Sequence, residues 1–98
     1  MVIEIKRNAE DTTIEIVGRL DTTTAPSLDK TINDDICGTK NLTFDFKGLE
    51  YVSSAGLRVL LSAQKKMRKI GSMKVKNVSE SIMEIFEMTG FTDILEIE

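Results

Sequence analysis

Two adjacent serines, Ser53 and Ser54, followed by the small residues Ala55 and Gly56, are where side-chain type and spacing in this 98-residue chain suggest chemistry. They stand between a strand-like run and an apolar helix-like run, so a hydroxyl falls at a helix N-terminus. Unpaired N–H groups and positive potential there favour an anion, and the small side chains let a second backbone or a ligand come close. Such a hydroxyl has three readings: a helix N-cap, a nucleophile, or an acceptor of a phosphate that toggles binding. The sequence has no histidine. This removes Ser-His and Cys-His pairs, imidazole bases and the commonest metal ligand, and no G-x-S-x-G elbow is present. Asp45 and Glu50 do not form an acid/base pair, since the spacing puts one in a strand and the other in a turn. The expectation is a protein that is not an enzyme, with no catalytic residue, no metal and no cofactor. Between a cap and a phosphate acceptor the residues alone do not choose.

The elements that must position these serines follow from periodicity. Val2–Lys6 and Thr13–Val17 alternate apolar and polar with period two, and Asn8–Asp11 between them reads as a hairpin loop. Thr22, Thr23 and Thr24 supply N-cap hydroxyls and Pro26 an early helix proline. Ala25, Leu28, Ile32 and Ile36 then recur at helical spacing up to Gly38. Leu42–Phe46 is a strand, and Lys47–Tyr51 reads as a turn. Leu57 to Ile70 is a helix, apolar on more than one face at its start and basic at its C-terminal end, ending at Gly71. Ser72–Asn77 is a strand, Ser79 caps a third helix that ends at Gly90, and Ile94–Ile97 is the last strand. The order β-β-α-β-α-β-α-β predicts an α/β domain: a mixed, mostly parallel sheet of about five short strands with three main helices, reached by right-handed crossovers.

Bulk properties narrow the function further. The length fits one domain, taken as residues 1–98. A formal charge of −3 gives no electrostatic reason to bind nucleic acid. No apolar run is long enough for a membrane span and the opening residues hold no signal-peptide core, so a cytoplasmic protein is expected. The single cysteine, Cys37, reads as a buried, inert thiol on the last turn of the first helix. Met67, Met73, Met83 and Met88 read as core or gap fillers, the last two with a partner surface as an alternative. The cations Lys65, Lys66, Arg68, Lys69, Lys74 and Lys76 read as a solvated patch complemented by the acidic tail.

The stretch Phe44 to Leu61 resembles the signature of bacterial anti-sigma factor antagonists, the stand-alone STAS-domain proteins, in which a strand leads through a D-S-[ST]-G-L-type turn into a helix. Gly18-Arg19-Leu20-Asp21-Thr22-Thr23-Thr24-Ala25 resembles the family's G-x-[LI]-D-x-x-[TN]-A stretch, and Met83 to Phe91 its helix-to-glycine ending. The resemblance implies a STAS-like fold and places the family's phosphorylated serine on Ser54. Ser53 stands where the family often has an acidic residue, a departure that leaves Ser53 as a possible second acceptor. Asp21, Thr22, Thr23, Thr24, Ser53, Ser54, Ala55, Gly56, Leu57 and Arg58 fall on the partner-binding face. The implied function is partner switching. The unphosphorylated protein binds an anti-sigma factor that is also a serine kinase and frees the sigma factor. Phosphorylation at Ser54 blocks that binding, and a PP2C-type phosphatase resets it. The implied state is a monomer or weak dimer with no direct nucleic-acid or membrane partner. The alternative is a STAS scaffold or regulator with a non-sigma partner, in which Ser54 is only a cap.

Overall fold

Ile3 and Ile5 alternate with Glu4 and Lys6, and Ile14 and Ile16 flank Glu15, so two strands with one apolar face each close into a hairpin. In the computed structural model, which describes residues 1–98, these strands are β1 (Val2–Asn8) and β2 (Asp11–Leu20), paired antiparallel across the two-residue connection Ala9-Glu10. There follow α1 (Ala25–Asp35), β3 (Asn41–Val52), α2 (Ser54–Ile70), β4 (Ser72–Lys76), α3 (Glu80–Thr89), a 3-10 turn at Phe91–Asp93 and β5 (Glu96–Ile97). The sheet runs in chain order, β1-β2-β3-β4-β5, and every pair after the first is parallel. Right-handed crossovers between strands laid down in sequence all turn the same way, so α1, α2 and α3 lie on one face of the sheet.

Burial follows that asymmetry. Ile14 and Ile16 of β2, Phe44 and Phe46 of β3, and Val75 of β4 are almost fully buried under the helices. Their neighbours Thr13, Glu15, Thr43, Asp45, Lys74 and Lys76 are partly open to water on the other face. Phe44 and Phe46 have ring centroids 5.7 Å apart, Phe46 lies 6.3 Å from Phe86 of α3, and Phe86 lies 6.4 Å from Phe91. Each such contact adds about 0.5–1.5 kcal/mol to the area it buries. Two buried hydroxyls, on Thr12 and Thr39, are 2.7 Å apart and satisfy one another. No helix is long and apolar enough to cross a membrane.

The expected fold class is the one observed, with corrections in its parts. Lys47–Tyr51 is not a turn: β3 continues for 12 residues to Val52, and β2 has 10, so neither is short. The alternation that marks a strand is broken there by two register shifts against β2, between Glu15 and Val17 and between Gly18 and Arg19. Each adds a residue to β3, so its buried positions run Phe44, Phe46, Leu49, Val52. β5 covers Glu96 and Ile97 alone, because Phe91–Asp93 tightens into a 3-10 turn.

Cys37 is exposed, not buried. α1 ends at Asp35, and the Arg7 guanidinium crosses from β1 to donate to the carbonyls of Asp35 at 3.3 Å and Cys37 at 2.6 Å. Met67 and Met73 are core residues, whereas Met88 is 86% exposed. Of the basic patch, Lys74 pairs with Glu98 of the acidic tail at 3.3 Å. At the end of α2, Gly71 has extended backbone and is required for another reason: a Cβ there would stand 1.8 Å from the Lys40 carbonyl oxygen.

Candidate functional site at the ends of β2 and β3

Leu20 ends β2 and Val52 ends β3, and the two are paired. One residue further on, the Ser53 N–H donates to the Leu20 carbonyl at 2.8 Å. The sheet therefore delivers two chain exits side by side: Asp21–Thr24, which leads into α1, and Ser53-Ser54, which leads into α2.

The first exit is organised by Asp21. Its Oδ1 accepts from the backbone N–H of Thr23 at 3.0 Å and of Thr24 at 3.2 Å, and from the Thr23 hydroxyl at 2.7 Å. Thr24 Oγ1 accepts from the Asp21 N–H at 2.8 Å and donates to the Arg19 carbonyl at 2.9 Å. The expectation that the threonine hydroxyls cap α1 is corrected here. Thr24 is the N-cap residue, yet its side chain makes no capping bond; the Asp21 carboxylate instead closes the Thr22–Thr24 turn that leads into the helix, through the Thr23 and Thr24 N–H groups. A carboxylate is a stronger acceptor than a hydroxyl and complements the positive helix end. The Thr23 hydroxyl, helped by the two N–H groups, outweighs partial burial and holds the Asp21 carboxyl below its ordinary value of 3.8.

The second exit divides its two serines. Ser53 is in extended conformation at the N-cap of α2, and its hydroxyl accepts from the Gly56 N–H at 3.4 Å. Ser54 is the first helical residue and is exposed, and its hydroxyl makes no hydrogen bond within the chain. The first turn of α2 carries no acidic side chain, while its last turn holds Arg68 and Lys69. The N-terminal potential is thus not neutralised by the helix's own residues.

Gly56 sets how closely α2 sits on the strand ends. A Cβ at that position would stand 2.7 Å from Leu20 Cγ and 2.8 Å from Val52 Cγ2. Of the residues expected on the partner face, Gly56 and Leu57 are buried. They hold the turn from beneath and are not reached by a docking surface. Thr22, Thr23, Ser54 and Arg58 are exposed, and Asp21, Thr24, Ser53 and Ala55 are intermediate. Arg58 follows Ser54 by four residues and so shares its helix face.

Two residues not singled out in the sequence complete the rim. Arg19 and Tyr51 are paired in register, with the guanidinium carbon 4.4 Å from the ring centroid, and Arg19 Nε lies 3.8 Å from Asp21 Oδ2. Each immediately precedes the last residue of its strand, a signal visible only once β2 and β3 are known to run parallel. The assembled surface is a polar rim around the free Ser54 hydroxyl, with the unbonded hydroxyls of Thr22 and Tyr51 exposed on the same rim.

The sequence matches the model of the STAS domain over residues 2–98. The chain belongs to the STAS-domain family. This STAS domain is 31% identical over 96 residues to the anti-sigma-B factor antagonist of Bacillus subtilis, covering 97% of this chain and 88% of that protein. Among solved structures it resembles the anti-sigma factor antagonist SpoIIAA in its unphosphorylated form, with a TM-score of 0.86 at 17% identity, over 99% of this chain and 88% of that one. The phosphorylated form of SpoIIAA from Bacillus superposes with a TM-score of 0.78 at 17% identity, over 99% and 91% of the two chains. An anti-sigma factor antagonist from Mycobacterium paratuberculosis gives 0.88 at 20% identity, over 98% and 83%. At those identities the structural likeness is one of fold.

Proposed function

We propose that this STAS domain is an anti-sigma factor antagonist in a partner-switching pathway, and that Ser54 is its switch. Unphosphorylated, it binds an anti-sigma factor that is also a serine kinase, and the sigma factor is released. Phosphorylated on Ser54, it no longer binds. A PP2C-type phosphatase restores it. The protein is a binding partner and a kinase substrate, not an enzyme, and it works in the cytoplasm.

The observation that carries this reading is the contrast between the serines: Ser53 spends its hydroxyl on Gly56, while Ser54 leaves its own exposed and unbonded. A phosphoserine adds about 1.5–2 negative charges at neutral pH. At the first position of a helix, with Arg58 one turn on along the same face, that charge is favoured by about 0.3–1 kcal/mol. The fold tolerates the modification. A partner surface matched to a small neutral hydroxyl does not, since an unpaired charge buried at an interface costs several kcal/mol and each 1.4 kcal/mol is tenfold in affinity. The switch acts on binding and not on folding.

The test is peptide mass spectrometry after incubation with ATP, magnesium and lysate of the source organism, wild type beside Ser54→Ala. One phosphate on Ser54, absent from the variant, is expected. A phosphate on Ser53 moves the switch by one residue. No phosphate, with a control substrate modified in the same lysate, overturns the reading.

A further inference from the structure

The sheet has two edges, and they are built differently. β5 is two residues long, an edge too short to template another strand. β1 is a seven-residue strand without proline or bulge, and it leaves Val2 56% and Ile5 38% exposed. A two-residue connection closes on a hydrogen-bonded pair, here Asn8 with Asp11. Because hydrogen-bonded and non-hydrogen-bonded pairs alternate, Lys6, Glu4 and Val2 also direct their backbone groups towards β2. The N–H and C=O groups of Ile3, Ile5 and Arg7 therefore point away from the sheet, along a free edge.

We propose that this edge pairs with the same edge of a second copy, antiparallel about a two-fold axis through Ile5, to give one continuous sheet across both copies. The sequence of β1 is complementary to itself in that register. Ile5 then meets the partner copy's Ile5, and Ile3 meets its Arg7, as hydrogen-bonded pairs on the helix-covered face. Glu4 meets Lys6 of the second copy twice, in the closer non-hydrogen-bonded pairs on the open face. Outward-facing groups can also be matched by sliding two residues either way, but one slide sets Glu4 against Glu4 and the other Lys6 against Lys6. Only the register centred on Ile5 joins opposite charges.

The single chain leaves both charges wanting a partner. Glu4 lies opposite Glu15 of β2, a like-charge pair, and Lys6 lies opposite Thr13. Neither Glu4 nor Lys6 takes part in any of the ion pairs of the chain. A Lys6 ammonium from a second copy relieves the repulsion between Glu4 and Glu15. The edge is two strands away from β3, whose end carries Ser53 and Ser54, so pairing leaves that site open on both copies and does not depend on its function.

Sedimentation equilibrium over a range of concentrations tests this. Wild type is expected to dimerise reversibly. Glu4→Lys and Lys6→Glu should each weaken dimerisation by about tenfold or more, since two attractive pairs become two repulsive ones. Circular dichroism should show both variants folded, because both positions are exposed. Mixed in equal amounts, the two variants should associate with each other. In such a pair the introduced lysine of one copy faces the introduced glutamate of the other, and the unchanged Lys6 faces the unchanged Glu4. A wild type that stays monomeric at all concentrations overturns the proposal. So does a dimer indifferent to either single change, or a mixture that fails to associate.

Discussion

The Ser53 N–H donates to the Leu20 carbonyl at 2.8 Å, and this one bond ties the Asp21 loop to the start of α2. Neither exit can shift without the other. In the proposed switch, a partner that grips the Asp21 rim would read the Ser54 hydroxyl at a fixed offset, and the two serines can be tested for the separate tasks that the geometry gives them.

Ser53→Ala removes the N-cap of α2 and should lower stability by about 0.5–2 kcal/mol. Ser54→Ala removes a hydroxyl with no intramolecular bond and should change stability by less than about 0.5 kcal/mol. Urea unfolding of the two variants beside wild type measures the difference. Equal losses would show that the serines share the cap.

Gly56→Ala should be destabilising although alanine is the better helix former by about 1 kcal/mol. The new methyl must displace Leu20 Cγ, 2.7 Å away, or Val52 Cγ2, 2.8 Å away. Overpacking of this kind costs about 1–3 kcal/mol. The diagnostic measurement is the coupling with Leu20→Ala. That change opens space where the new methyl points, so Gly56→Ala should be less harmful in the Leu20→Ala background. An unchanged cost would mean that the strain is elsewhere.

Acid should weaken the fold through two carboxyls. Asp21 is held low chiefly by the Thr23 hydroxyl. Burial would raise Asp45, but the Asn77 amide at 3.0 Å, the Lys47 N–H at 3.0 Å and the charges of Lys76 and Lys47 bring it below its ordinary value. A carboxyl lowered in the folded state stabilises above its unfolded value of about 3.9, and that contribution is lost as pH falls through the folded value beneath it. Thermal unfolding from pH 6 down to pH 2 should show stability lost below about pH 4. Asp21→Asn and Asp45→Asn should each flatten that limb. A limb unchanged in both variants would assign acid sensitivity to other carboxyls.

Cys37 lies on the surface just beyond α1. In the native protein it should react with a thiol reagent as fast as it does in urea, within a factor of a few. Strong protection in the folded state would contradict the exposed placement.

The fold class, the element order and the serine pair are legible in the sequence because each rests on local signals: period two, period 3.6, caps and small residues. What is not legible depends on register. Lys47–Tyr51 looks like a turn because two bulges break its alternation, and bulges are defined only against the neighbouring strand. The pairing of Arg19 with Tyr51 is hidden for the same reason. The division of labour between Ser53 and Ser54 turns on which of them is the first helical residue, a matter of one position that propensity does not fix. For Cys37, helical spacing through Ile36 suggests another turn, whereas Arg7 takes up the carbonyls at that end.

Between Glu15 and Leu20, β2 advances five residues while β3, from Asp45 to Val52, advances seven. That surplus makes the segment a gauge of length. Removing one residue from it would exchange inward and outward positions beyond the cut and rotate the serines away from the Asp21 loop. An insertion at the Ala9-Glu10 tip would disturb little beyond the hairpin end. Along Lys47–Tyr51 the exposed letters Lys47 and Glu50 can drift over generations, whereas buried Leu49, Gly48 against Val17 and the number of residues cannot.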